Sequence, residues 1–198
     1  MDDITIPDSR ASRAARDVAT EFHTPALLNH CIRSYIWGAA FAGNNGVAFD
    51  PELLYVSSML HDLGLVEEFD SHSADFERSS GAVARVFGTA AGWPVERRNR
   101  ASEIIVVHMA ADLVAIEDDP EGHLLSIATS LDISGSDSDL WPLEFRRSVV
   151  ARYPRHTLAS EFLACFASQA ARKPHSPAGV LMAEGIGERI QSNALDSY

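Results

Sequence analysis

The sequence predicts an all-α protein, a single-domain helical bundle, and three observations carry that prediction. Apolar residues recur at helical spacing in one segment after another. Helix starts are marked by a capping residue followed by proline, as in Thr24-Pro25, Asp50-Pro51 and Ser176-Pro177. The sequence has no strand-like alternation, no internal repeat and no linker that would separate a second domain. With 198 residues and 46% hydrophobic content, the chain can bury one sizeable core.

The elements follow in order. Residues 1–8 read as a loose leader, and 9–22 as an alanine-rich amphipathic helix lying on the surface. Residues 24–43 form a long helix on which Leu27, Cys31, Ser34, Gly38, Phe41 and Ala42 trace a small and apolar face. His30 and Arg33 border that face and can point the same way. Residues 50–64 are the segment around which the rest is organised. Asp50 caps it, Leu53, Val56, Leu60 and Leu63 make a core-facing stripe, and Gly64 is expected to stop it with a positive φ. That places His61 and Asp62 in the last turn of an apolar helix.

After a polar loop that carries His72, residues 75–89 form a helix with Phe76, Val83, Val86 and Phe87 on its apolar face. Glu77 lies in its first turn, where a carboxylate suits the helix dipole. Trp93-Pro94 opens the next helix. It carries the basic cluster Arg97, Arg98 and Arg100 and ends on His108 behind the aliphatic run 104–107. For His108 a backbone hydrogen bond, a pocket wall, a ligand role and a proton relay all stay open. Residues 112–121 read as an acidic loop, and 122–134 as an apolar helix with Asp132 on the face of Leu125 and Ala128. Segments 143–153, 156–173 and 176–194 read as packing helices, and Cys165 as core beside Phe162, Leu163 and Phe166.

Composition excludes some functions. A net charge of −12 argues against binding a nucleic-acid backbone or an anionic membrane surface. Two cysteines without paired spacing argue against a disulfide framework and for a reducing, cytoplasmic setting. The start, Met1-Asp2-Asp3-Ile4, carries no apolar signal run, and no stretch approaches the roughly 20 apolar residues that span a bilayer. The expected partner is a small molecule, with no nucleic-acid polymer and no membrane; homo-oligomerisation is left open.

Asp62 and Asp132 are carboxylates where the pattern calls for hydrophobes. A buried carboxylate needs a cation or strong donors nearby. Together with His30 and His61 they form a two-histidine, two-aspartate set that one divalent metal would satisfy.

The order His30, then His61-Asp62 in the context Leu60-His61-Asp62-Leu63-Gly64, then Asp132, resembles the HD-domain superfamily of metal-dependent phosphohydrolases. A finer resemblance is to its cyanamide hydratase-like branch. It rests on 30–35 (His-Cys-Ile-Arg-Ser-Tyr), His61 to Leu65, Phe76-Glu77 with Gly81-Ala82, 104–108, and Asp132-Ile133-Ser134-Gly135. Asp75 and Val66 depart from that branch, where an arginine and a small hydroxyl residue are expected.

The resemblance implies one HD-type domain over 1–198, with its core at about 24–135 and packing helices at 136–198. It implies metal ligands His30, His61, Asp62 and Asp132 around one divalent ion: zinc first, with iron, manganese, nickel or cobalt as alternatives. The implied activity is that of a hydratase, a lyase or hydrolase by class, in which a metal-bound water adds to a small nitrile-type substrate. Asp62, His108 and Arg33 are the catalytic candidates: Asp62 to accept a proton, His108 to shuttle one, and Arg33 to brace a carboxylate or hold substrate. Trp37, Phe41 and Phe69 are expected to wall the pocket. The alternatives are a nucleotide phosphohydrolase, with Arg33 clamping phosphate, and a non-catalytic regulatory domain stabilised by the metal.

Overall fold

A computed structural model describes residues 4–198, which form helices and turns with no strand among them. Met1, Asp2 and Asp3, the acidic start of the expected leader, lie outside the described residues. The rest of that leader is not loose. Ile4 and Ile6 pack on the core, and the Tyr35 hydroxyl donates to the Thr5 carbonyl at 2.9 Å.

The helices are α1 (Arg10–Phe22), α2 (Pro25–Asn45), α3 (Pro51–Leu60), α4 (Phe76–Ala90), α5 (Val95–Val107), α6 (Pro120–Ser134), α7 (Leu143–Arg152), α8 (Leu158–Arg172), α9 (Pro177–Ala183) and α10 (Ile186–Gln191). The cap-plus-proline starts hold. The side chains of Thr24, Asp50 and Ser176 accept from the backbone N–H groups of Leu27, Leu53 and Gly179.

Four expectations change. The acidic loop is shorter than its composition implied, because Asp119-Pro120 is a further cap-plus-proline start and Arg100 pairs with Asp119 and Glu121. The last segment is two helices, broken at Gly185, whose φ is 82°. Val86 is 71% exposed, since α4 is an outer helix that turns Phe76, Ser80, Gly81, Ala84 and Gly88 inward.

The fourth change concerns the organising segment. Helix α3 ends at Leu60, not at Gly64, and a short 3-10 turn, Leu63–Leu65, follows. Gly64 has no positive φ. It is required for space: a Cβ there would sit 2.1 Å from the Phe76 carbonyl oxygen, where α4 begins. The close approach also lets the Gly64 N–H donate to Ser80 Oγ at 2.8 Å.

Two apolar clusters result. The larger unites α1 to α7 around Trp37, Leu54, Met59, Leu60, Ile104 and Leu125. The smaller joins α8, α9 and α10 to Leu27 of α2, Phe76 of α4 and Ile133 at the end of α6. The histidine and aspartate set lies at the seam between them.

Candidate active site

His61 and Asp62 converge because the helix stops before them. Consecutive residues of a regular helix point about 100° apart, which would aim the two side chains at different neighbours. Here His61 keeps helical dihedrals, while Asp62 swings to φ −103°, ψ 5°. The turn brings Asp62 Oδ2 to 3.1 Å from His61 Nε2. Across the seam, α2 presents His30. Its Nε2 lies 3.2 Å from His61 Nε2 and 3.3 Å from Asp62 Oδ2.

The protonation of this triangle is set from outside it. His61 Nδ1 is 2.7 Å from the Ser58 carbonyl, which can only accept, so Nδ1 donates there and Nε2 is the nitrogen that faces the triangle. His30 Nδ1 is 2.7 Å from Asp132 Oδ2. Asp132 stays ionised: burial would raise its pKa, but the Arg33 guanidinium, His30 and Arg155 hold it well below the usual carboxylate range. His30 therefore also donates through Nδ1 and turns Nε2 to the triangle. Both oxygens of Asp62 are buried without a hydrogen-bond donor. Burial would raise this carboxyl, yet the two imidazoles beside it hold it well below its ordinary range.

Three groups that can each offer a lone pair thus face one another at 3.1–3.3 Å, all of them buried, an arrangement that calls for a proton or a metal cation among them. The same field acts on His30, which burial would push down but the Asp132 and Asp62 carboxylates hold above its ordinary value. The residues fit a divalent metal. Ligands of a tetrahedral site with bonds of roughly 2.0–2.1 Å stand about 3.3 Å apart, and His30, His61 and Asp62 are the three that meet this spacing.

Asp132, the fourth residue of the expected set, stands beside the triangle and bonds to it through His30. Its Oδ1 accepts from Arg33 Nε at 2.8 Å and Trp37 Nε1 at 2.9 Å. Its Oδ2 accepts from Arg33 Nη2 and His30 Nδ1, each at 2.7 Å. Both oxygens are taken, so Asp132 orients His30 from behind. The Asp132 backbone carbonyl is held by Arg155 and by Asn193 Nδ2.

Arg33 is fully buried and turned away from the triangle's open side. It grips Asp132 with two bonds and the Tyr153 carbonyl with a third, at 2.8 Å. That is its bracing role; a substrate contact is out of its reach. His108 does reach the site. Its ring stands edge-on to His61 with centroids 5.0 Å apart, and its Nδ1 donates to the Ile105 carbonyl, which leaves Nε2 as an acceptor. Burial and the neighbouring His61 push its pKa down to about 3, so it is neutral. His72 is exposed in its loop and plays no part. Cys31 lies behind the site, 4.0 Å from His61 Nδ1, with its thiol pushed well above the ordinary range by burial.

His30, His61, Asp62 and His108 form the floor of a cavity of about 620 Å³. Its walls come from Met109, Ile127 and Ile133 and, across the seam, from Phe162, Phe166, Leu181 and Ile186. The aromatic wall expected from α2 and the polar loop is not there. Trp37 packs against Trp141 and Phe145, Phe41 against Trp141, and Phe69 against Phe22. The helices that read as mere packing build the pocket instead. Phe162 and Phe166 were legible as apolar, but a stripe facing a cavity has the same periodicity as one facing a neighbour.

Fold and site define a class: an all-helical protein with two histidines and an aspartate poised to hold one divalent cation at the base of an apolar cavity. No protein-family model matches the chain. It is 30% identical over 178 residues to the cyanamide hydratases DDI2 and DDI3 of Saccharomyces cerevisiae, an overlap of 85% of this chain and 76% of each relative. The chain belongs to the cyanamide hydratase family.

Proposed function

We propose that the chain is a metal-dependent hydratase that adds water across the C≡N group of cyanamide or a small nitrile, on an HD-type helical scaffold. The observation that carries this reading is Asp62, a carboxylate buried to 0% exposure with no hydrogen-bond partner on either oxygen and the Nε2 atoms of two imidazoles turned toward it. Membership of a family whose curated relatives are named cyanamide hydratases supplies the reaction class.

His30, His61 and Asp62 would hold the ion, which supplies Lewis acidity that lowers the pKa of water toward 7 and polarises a nitrile nitrogen. The protein's own groups do the rest. Asp132 and the Ser58 carbonyl hold both imidazoles in the tautomer that turns Nε2 to the site. His108, neutral, offers Nε2 to accept a proton or hydrogen bond from water or from substrate N–H.

Phosphate-ester hydrolysis fits less well. Arg33 is committed to Asp132, and among the described residues lining the cavity the one arginine or lysine is Arg189, exposed at its mouth. The zinc assignment rests on the nitrogen and oxygen donors and small ligand number. Among the described residues no helix is long and apolar enough to cross a membrane.

The test is elemental analysis of wild type and His61→Ala, paired with urea formation from cyanamide. Wild type should carry one divalent ion and form urea; His61→Ala should lose both. Wild type that binds no metal, or urea formation indifferent to His61→Ala, would overturn the proposal.

A further inference from the structure

The cavity is far larger than cyanamide alone requires, and one of its sides is apolar. Cyanamide is an N–C–N chain without a side group, on the order of two waters in volume at about 30 Å³ each. The cavity measures about 620 Å³, within the range of roughly 300–1,000 Å³ that drug-sized ligands fill. Its polarity is also graded. The floor holds the triad and His108. The middle is lined by Met109, Ile127, Ile133, Phe162, Phe166 and Leu181, with Ser126, Thr129 and Ser130 of α6 along one side.

The mouth carries two large hydrophobics left in water, Leu113 at 54% and Val180 at 44% exposure. Charged groups there are of both signs, Arg189 with Asp137 and Glu184, so neither a cationic nor an anionic body is selected. An apolar passage that leads from such a mouth to a reaction centre is shaped for the remainder of a substrate.

The geometry points to a substrate class wider than cyanamide: a neutral compound whose C≡N group is joined to an apolar body of about aromatic-ring size, as in an N-benzylcyanamide or an arylacetonitrile. This rests on the hydratase reading above. The C≡N group reaches the floor and the ring lies between Phe162, Phe166 and Leu181. The reaction balances without an oxidant or reductant. The water oxygen bonds to the nitrile carbon, one carbon–nitrogen π pair moves to nitrogen, and nitrogen takes the proton. The resulting imidic acid or isourea then tautomerises to the amide or urea.

The experiment compares kcat/KM for N-benzylcyanamide, phenylacetonitrile and cyanamide, in wild type and in Leu181→Trp, which fills the passage. Binding of benzylurea and of urea is measured alongside by calorimetry. In wild type the benzyl compound should have a kcat/KM about a hundredfold above that of cyanamide, the discrimination an apolar pocket draws from one or a few methylene-sized contacts. Benzylurea should bind more tightly than urea, and Leu181→Trp should lower both ratios at least about tenfold. Urea formation from cyanamide with no benzyl preference would overturn this inference and leave the hydratase reading standing. No turnover of any of the three would overturn both.

Discussion

On one edge of the His30 ring Asp132 accepts four N–H bonds, two of them from Arg33; on the other edge Asp62, equally buried, accepts none. Both are aspartates at or just beyond the end of an apolar helix, and both are held ionised. The difference lies in what neutralises them. Asp132 is compensated by a permanent cation and needs nothing more, so it serves to aim His30. Asp62 has no permanent cation beside it: only the two imidazoles face it, and a proton or an added metal ion completes the site. Glu77 is a third case. It is 3% exposed with Oε2 unpartnered, and burial lifts its carboxyl to about 7, so it relieves its charge by taking up a proton. A buried carboxylate thus meets three fates here, and the fate follows from the neighbours.

The same substitution at the two aspartates should separate these fates most sharply. Asp132→Asn breaks a fully buried ion pair and leaves Arg33 uncompensated, at a cost of about 3–5 kcal/mol. Urea unfolding of chelator-treated protein measures it; a loss under about 1 kcal/mol would mean the pair is not what holds α2 to α6. Asp62→Asn should cost the metal-free protein less, under about 2 kcal/mol, because it leaves no permanent cation unpaired, while bound metal and activity disappear. An Asp62→Asn protein as destabilised as Asp132→Asn, or one that keeps its metal, would erase the contrast between the two sites.

Acid sharpens the comparison further. Asp132 has a folded-state pKa below its unfolded value of about 3.9. Its stabilisation is therefore complete above about pH 5 and is lost as pH falls through the folded value. The stability of chelated wild type should decline from about pH 5 downward, and the Asp132→Asn profile should be flatter over the same window. Equal slopes would remove Asp132 from the account.

The smallest effect is expected at Glu77, where the sign reverses. Its folded pKa, about 7, lies above the unfolded value, so wild type loses stability as pH rises from about 4.5 to 7. Glu77→Gln should be more stable than wild type at pH 8 and equal to it near pH 4. Thermal melts at the two pH values decide this, and a difference independent of pH would refute the buried-proton account.

Much of this molecule is determined by local sequence. Thr24-Pro25, Asp50-Pro51 and Ser176-Pro177 set helix starts by capping and by the proline's missing N–H, and helical periodicity set the all-α class. The residues that matter were legible as polar groups on apolar faces: His30, His61, Asp62, His108 and Asp132. Their roles were not, because a role depends on partners far away in the chain. Asp132 braces His30 because Arg33 and Trp37, on a helix about a hundred residues earlier, reach both its oxygens. Gly64 is a contact with α4 rather than a positive-φ stop, which only the approach of the Phe76 carbonyl reveals. The pocket walls were hidden for the same reason. Periodicity records that Phe162 and Phe166 avoid water, and only the packing of α8 across the seam decides that they face a cavity with the triad at its floor.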